Sequence, residues 1–134
     1  MRILLVEDDP IIGFAAADAL RSEGHEVVGP AMTVDDAEHF AREGADFALV
    51  DINLAGHDEG VELARNLKSQ FGIISAFVSG QSGAAHSNKD AAVGLLRKPY
   101  TAQSLIEATA VVAEIASGGS PPPPRIPRAF EVFT

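Results

Sequence analysis

The sequence predicts an α/β fold with a doubly wound, five-stranded parallel sheet. Short apolar, β-branched segments alternate with segments that carry apolar residues at helical spacing. The strand-like segments are apolar at consecutive positions, as is typical of parallel strands that are covered on both faces. With 134 residues, the chain is long enough for one domain with a substantial core.

Five short, mostly apolar segments are predicted to be strands, and the first of them is also rich in β-branched residues. They span residues 3–6, 26–29, 47–50, 73–78 and 95–97. Parallel strands need right-handed crossover connections, and the helical segments between them supply these. We expect the strand order 2-1-3-4-5, the flavodoxin-like arrangement that is common at this size.

Capping residues mark the starts of the helices between these strands. Asp9 and Pro10 suit the N-cap and first position of the first helix, which Gly24 ends. Thr33 followed by Asp36 resembles a capping box and opens the second helix. Further helices are predicted over residues 59–69 and 101–116.

The segment GQSGAAHSNKDAAVG, residues 80–94, differs from the other connections. It contains three glycines and several small polar residues, and it has no clear apolar stripe. Because glycine and small polar residues are weak helix formers, we expect a short or mobile fourth helix.

The chain is predicted to divide into a domain at residues 1–117 and a Pro-rich C-terminal tail at residues 118–134. Four consecutive prolines favour an extended conformation. The sequence IPRAFEVF that follows is apolar enough to act as a docking peptide, for the chain's own surface, for a second copy or for a partner. A disordered tail is the alternative.

Composition excludes several classes of function. Without cysteine, disulfides, thiol catalysis and Cys-ligated zinc are ruled out. Apolar runs fall short of the roughly 20 residues that span a bilayer, and acids at position 7 do not fit a signal peptide, so we expect a cytoplasmic protein without membrane contact. A net charge of −9 disfavours nucleic-acid binding.

Polar residues collect where the predicted strands end. In open parallel sheets, ligands bind beyond the carboxyl ends of the strands. The residues at these ends are Glu7, Asp8 and Asp9 after the first strand, Asp51 and Asn53 after the third, Ser79 and Gly80 after the fourth, and Lys98 and Pro99 after the fifth. In the expected strand order these groups converge on one edge of the sheet.

This set of side chains suits the transfer of a phosphoryl group. Several carboxylates with little neutralisation suggest Mg²⁺. A lysine beside the metal implies a second anion between them, and a phosphoryl group stabilised by Lys98 and Ser79 fits that position. Asp51, alone at the tip of a central strand, is the best-placed nucleophile for an aspartyl phosphate.

The four stretches LLVEDD, VDINL, FVSG and RKP together resemble the receiver domain of bacterial two-component response regulators. The resemblance covers residues 2 to about 116. It implies that Asp51 accepts phosphate from a phosphohistidine of a sensor histidine kinase or a histidine phosphotransferase. Glu7 and Asp8 match the acidic pair that holds Mg²⁺ together with Asp51, and the carbonyl of Asn53 completes the metal site.

The resemblance also assigns the remaining residues. Ser79 and Lys98 would contact the phosphoryl group, and Pro99 would follow Lys98 through a cis peptide bond. The switch-related positions are Ser79, Leu95 and Pro99, and Leu95 stands where receivers usually carry Tyr or Phe. The weak fourth helix, FVSGQ and RKPY resemble a subgroup of stand-alone receivers with a FATGUY motif, of which Phe77, Ser79 and Gly80 match closely.

A stand-alone receiver would not be an enzyme beyond its own phosphorylation and slow autodephosphorylation. It would signal by docking a downstream protein or a second copy, or act as a phosphate relay or sink. The alternatives are a Mg-dependent Toprim-like or haloacid-dehalogenase-like enzyme, and a pseudo-receiver that only binds partners. The enzymes would need Asp-x-Asp pairs that the chain lacks, and a pseudo-receiver usually loses an acid or the lysine.

Overall fold

A computed structural model describes residues 1–54, 59–120, 122 and 125–133. The strands are β1 (Arg2–Val6), β2 (Glu26–Ala31), β3 (Phe47–Asp51), β4 (Ser75–Ser79), β5 (Gly94–Arg97) and β6 (Phe130–Val132). The helices are α1 (Pro10–Ser22), α2 (Val34–Ala41), α3 (Glu59–Phe71), α4 (Gly83–His86) and α5 (Ala102–Ala116), and a 3-10 turn spans Lys89–Ala91.

The sheet has the strand order β2-β1-β3-β4-β5-β6. Its first five strands are parallel and confirm the predicted α/β fold and the order 2-1-3-4-5. The sheet has six strands and not the predicted five, because β6 adds to it by pairing antiparallel with β5. This sixth strand comes from the predicted tail, whose boundary at residue 117 stays a prediction.

Helices cover both faces of the sheet. One core cluster joins α1 and α5 to alternate strand residues such as Ile3 and Leu5. The other face packs α2 and α3 against the intervening residues, such as Leu4 and Val6. Because successive side chains of a strand point to opposite faces, the continuous apolar runs of the sequence fill both layers.

The predicted caps are present at the helix starts. The Asp9 carboxylate accepts hydrogen bonds from the backbone N–H groups of Ile11 and Ile12, and Pro10 is the first residue of α1. The Thr33 hydroxyl accepts from Asp36 N–H in the same way. These caps fix where each helix leaves the sheet edge that carries the polar residues.

The fourth helix is short, as predicted. It spans only four residues, and its mobility stays a prediction. Arg65 of α3 holds the segment that follows, because its guanidinium donates to the side chains of Asn88, at 2.7 Å, and Asp90. In the described part of the chain, no helix is long and apolar enough to cross a membrane.

Candidate functional site

The site lies at the carboxyl edge of the parallel strands. Asp51 is the last residue of β3, opposite Val78, and Ser79 is the last residue of β4, opposite Arg97. Lys98 immediately follows β5. The sheet therefore brings together acids, a hydroxyl and a lysine that lie more than 90 residues apart at the extremes.

Lys98 bridges two buried carboxylates. Its Nζ lies 2.7 Å from Glu7 Oε1 and 3.2 Å from Asp51 Oδ2. The side chains of Glu7 and Asp51 are only 5% and 7% exposed, against 22% for that of Lys98. The predicted convergence of these three residues is thus present, and the Lys98 ammonium contacts both acids in a largely buried site.

The charges of this cluster are not fully balanced. Burial raises the pKa of Glu7 to about 7, although the hydrogen bond from Lys98 opposes the shift. Burial lowers the pKa of Lys98, but its hydrogen bond to Glu7 and the charge of Asp51 outweigh this, so the pKa is raised. The lysine therefore stays cationic, while Glu7 exchanges a proton near neutral pH. The site can accommodate further positive charge.

The acids are arranged to share one cation. A carboxylate oxygen from each of Glu7, Asp8 and Asp51 lies within 4.8 Å of the other two. Asp8 is half-buried, so it is the member of the cluster that is in contact with solvent, whereas Glu7 and Asp51 are buried. Three carboxylates in this arrangement suit a hard, oxygen-seeking ion such as Mg²⁺. Asn53 contacts the cluster through its backbone N–H, which donates to Asp51 Oδ1 at 3.2 Å.

Ser79 lies at the site, but its hydroxyl is engaged in the turn after β4. Ser79 Oγ donates to the carbonyl of Gln81 at 2.8 Å and accepts from Gln81 N–H at 3.0 Å. The backbone of Lys98 donates to Ser79 O at 2.9 Å, which fixes the ends of β4 and β5 together. The Lys98–Pro99 bond is cis, as the resemblance implied.

Leu95, at the position expected for an aromatic switch residue, is fully buried. It belongs to a small apolar cluster under α4 that includes Phe77 of β4 and Ala85 of α4. Its side chain therefore contributes to packing on the α4 side of β5, and its switch role stays a prediction.

An apolar groove between α1 and α5 adjoins the site. The cavity measures about 640 Å³ and is lined by Ile12, Leu105 and Tyr100 among others, and also by Lys98 and Pro99. Sequence reasoning did not assign Tyr100 a role, although it directly follows the Lys-Pro pair. Burial raises the pKa of its phenol.

Two large apolar side chains of α1 are exposed, and one of them, Ile11, lines this groove. Ile11 is 81% exposed and Phe14 is 55% exposed. Exposed apolar side chains beside an apolar groove are typical of a surface that binds another protein.

The fold and the site define a class of protein, the flavodoxin-like α/β domain with acids and a lysine clustered at the carboxyl edge of its sheet. Residues 3–110 match the family described as the response regulator receiver domain. The chain belongs to this family, whose members act in two-component signalling. The family assignment also removes the Toprim-like and haloacid-dehalogenase-like alternatives.

Curated relatives and solved structures agree with this assignment. The chain is 30% identical to the transcriptional regulatory protein PdtaR of Mycobacterium tuberculosis over 112 residues, which cover 80% of the chain and 54% of PdtaR. It is 32% identical to the sensory transduction protein RegX3 of Mycobacterium bovis, covering 78% of the chain and 47% of RegX3. The chain thus spans about half the length of these two relatives.

Among solved structures, the signal receiver domain of a modulated diguanylate cyclase from Desulfovibrio desulfuricans G20 matches with a TM-score of 0.76. It is 28% identical, and the match covers 87% of this chain and 95% of that one. NtrX from Brucella abortus matches with a TM-score of 0.78 and 28% identity, covering 87% of this chain and 28% of that one.

Proposed function

We propose that the protein is a response regulator that accepts a phosphoryl group on Asp51 from a phosphohistidine. The observation that carries this proposal is the contact of Lys98 with Asp51 at the end of a central strand of a receiver domain. Asp51 is the acceptor because it is the acid at a strand tip that contacts both the lysine and the acidic cluster.

In the proposed reaction, a carboxylate oxygen of Asp51 attacks phosphorus. A P–O bond forms, the P–N bond of the phosphoimidazole breaks, and the leaving nitrogen keeps the electron pair and is protonated. Lys98 is already within reach of Asp51 and would stabilise the charge on the transferring oxygens. Ser79 would exchange its hydrogen bond to Gln81 for one to the phosphoryl group.

We also propose that the reaction depends on Mg²⁺. Glu7, Asp8, Asp51 and the carbonyl of Asn53 would hold the ion, with Asp8 a more direct ligand than Glu7. The ion would supply neutralising charge at the phosphoryl oxygens. Burial raises the pKa of Glu7, so its ionised form is costly without a further cation, and this supports the proposal.

The phosphoryl donor would be a sensor histidine kinase or a histidine phosphotransferase that docks on the α1 surface. Exposed Ile11 and Phe14, together with the apolar groove, support contact with a protein donor. The net charge of −9 supports an output through protein partners, as a relay or as a phosphate sink, rather than through nucleic acid. We propose this stand-alone mode of action for the chain.

The test uses a small-molecule donor, so it needs no knowledge of the kinase. Acetyl phosphate with Mg²⁺ should add one phosphoryl group, visible as an intact-mass increase that is lost on brief alkaline treatment. Replacing Mg²⁺ by EDTA, or introducing Lys98→Ala, should strongly reduce the yield. Failure of the folded wild-type protein to form any adduct would favour the pseudo-receiver, a module that only binds partners.

A further inference from the structure

The C-terminal strand covers what would otherwise be an exposed edge of the sheet. Strand β6 pairs antiparallel with β5, with Gly94 opposite Val132 and Leu96 opposite Phe130. Two hydrogen bonds extend the pairing at its ends. Arg97 N–H donates to the carbonyl of Ala129 at 2.9 Å, and Phe133 N–H donates to that of Val93 at 2.8 Å. Without β6, the edge of β5 would present unpaired backbone groups.

Alternate side chains of this segment enter two separate apolar clusters. Phe130 is 3% exposed and belongs to the core between the sheet and the α1 and α5 helices. Phe133 points to the other side and packs on the cluster under α4, with its ring 6.1 Å from that of His86. The period of two places one aromatic anchor on each face of the strand.

Glu131 fastens the strand between these two anchors. Arg97 Nη2 of β5 donates to Glu131 Oε1 at 2.7 Å, and His86 Nε2 of α4 lies 2.9 Å from the same oxygen. One carboxylate therefore links the segment to both neighbouring elements. The segment is therefore recognised through four consecutive residues, Phe130 to Phe133, which are aromatic, acidic, apolar and aromatic in that order.

The absence of a side chain at Gly94 on β5 allows β6 to approach closely. A Cβ atom at this position would lie 2.5 Å from the carbonyl oxygen of Glu131 and 2.5 Å from the ring of Phe130. Its φ angle lies outside the left-handed region, so the close approach of the strand is the reason that a side chain does not fit.

Few residues pair this segment with the sheet. It forms a ladder of only three residues, and the sequence SGGSPPPP separates it from α5. Segments held by so few pairs open at much lower free energy than the strands of the core. Detachment would uncover the β5 edge and the α4 cluster while β1 to β5 stay paired.

We propose that the β5 edge, together with α4, is a docking site for an extended peptide of the pattern Phe-Glu-Val-Phe. Residues 126–133 of this chain are its resident, exchangeable ligand, and they close the site to strands of other chains. Recognition is by strand addition, in which the backbone ladder gives affinity and the side-chain pockets give selectivity.

The first measurement needs no variant. In amide hydrogen exchange on the full wild-type chain, the amides of Phe133 and Arg97 should open together, at least about tenfold faster than the amides of β3. Exchange of both only through global unfolding would overturn the proposal. Slower exchange of the same two amides as the protein concentration rises would also overturn it, because a second copy would then supply the strand.

The second measurement uses a fluorescent peptide with the sequence RIPRAFEVFT and the full-length variant Glu131→Arg. The new guanidinium would face Arg97, release the resident strand and leave β5 unchanged. The peptide should bind this variant at least about tenfold more tightly than it binds wild type, where the tethered strand competes. Glu23→Arg, which makes the same charge change on the exposed end of α1, should behave as wild type.

A second substitution tests the site itself. Adding Gly94→Ala to the Glu131→Arg chain should abolish peptide binding, because the new Cβ occupies the space of the strand. Gly80→Ala, outside β5 and α4, is the matched control, since a Cβ there makes only ordinary contacts, the nearest with Lys98 Cβ at 3.9 Å. Equal binding to wild type and Glu131→Arg, no binding to Glu131→Arg, or binding that survives Gly94→Ala would each overturn the proposal.

Discussion

The three consecutive acids after β1 have three different environments. Asp9 caps α1, Glu7 is buried against Lys98, and Asp8 joins the acidic cluster from a half-buried position. Adjacent residues of an extended chain point in different directions, so a run of like charges need not form one patch. Only Glu7 and Asp8 share a ligand arrangement with Asp51.

The first prediction distinguishes Asp8 from Asp9. Asp8→Ala should weaken Mg²⁺ affinity by about tenfold or more, because it removes a carboxylate from the ion's own surroundings. Asp9→Ala should leave affinity nearly unchanged and lower the free energy of unfolding by about 1 kcal/mol through loss of the cap. Calorimetric titration with Mg²⁺ and urea unfolding measure the two effects. Equal losses of Mg²⁺ affinity in the two variants would contradict this assignment and would mean that the three acids act only as a general acidic patch.

The second prediction concerns the proton on Glu7. Its folded pKa of about 7 lies above the ordinary value of 4.5, so between these values the folded state holds a proton that the unfolded state has lost. The free energy of unfolding should therefore fall as pH rises from 5 to 8 in EDTA, by about 1 to 3 kcal/mol.

Glu7→Gln should remove most of this pH dependence, because glutamine stays neutral throughout the range. Glu59→Gln, on the exposed start of α3, is the control and should retain the wild-type profile. Urea unfolding at several pH values measures the effect. A profile that is flat in wild type, or unchanged in Glu7→Gln, would contradict the assigned shift.

At the scale of elements, the structure separates what local sequence determines from what packing determines. The caps at Asp9 and Thr33 depend on a few neighbouring residues, and both were predicted correctly. Strand β6 was not predicted as a strand, because it has only three residues and follows a run of prolines. Its pairing depends on Gly94 and on anchors from distant helices, which a local pattern does not contain.

The third prediction concerns the Glu131 link between β6 and its neighbours. The hydrogen bond with His86 and the charge of Arg97 lower the pKa of Glu131 below its ordinary value of 4.5. The ionised carboxylate therefore adds stability above pH 4.5, and this is lost as pH falls through the lowered pKa.

Thermal unfolding of wild type and Glu131→Gln measures this link. Wild type should unfold at the higher temperature at pH 6, and the difference should shrink towards pH 3. Glu23→Gln, which changes an exposed acid just after α1, should show no such convergence. A difference between wild type and Glu131→Gln that stays constant with pH would mean that the carboxylate charge does not hold the strand.

On the scale of the whole molecule, the rule that polar groups gather at the carboxyl edge was enough to bring together Glu7, Asp51 and Lys98. The rule predicts which side chains lie at this edge, but it does not predict which hydrogen bonds they form. It did not reveal that Ser79 is bonded to Gln81 in the resting state, or that Tyr100 lines the neighbouring groove. Both depend on the packing of loops that no spacing in the sequence encodes.

The fourth prediction separates docking from chemistry. Phe14→Asp should slow phosphoryl transfer from a phosphorylated histidine phosphotransferase that serves the wild type, by about tenfold or more, because it places a charge in an apolar contact. The same variant should react with acetyl phosphate at the wild-type rate. Ala110→Asp, on the exposed surface of α5, is the control. Equal slowing with both donors would mean that α1 supports the site and not the donor.

The measurement that tests the central claim most directly is the chemical location of the phosphoryl group. After reaction with acetyl phosphate and Mg²⁺, borohydride reduces an aspartyl phosphate to the alcohol homoserine, and peptide mass spectrometry locates the reduced residue. The account predicts reduction at Asp51 alone in wild type and no reduction in Asp51→Asn. Reduction at another acid of the cluster, or an adduct of wild-type yield in Asp51→Asn, would contradict it.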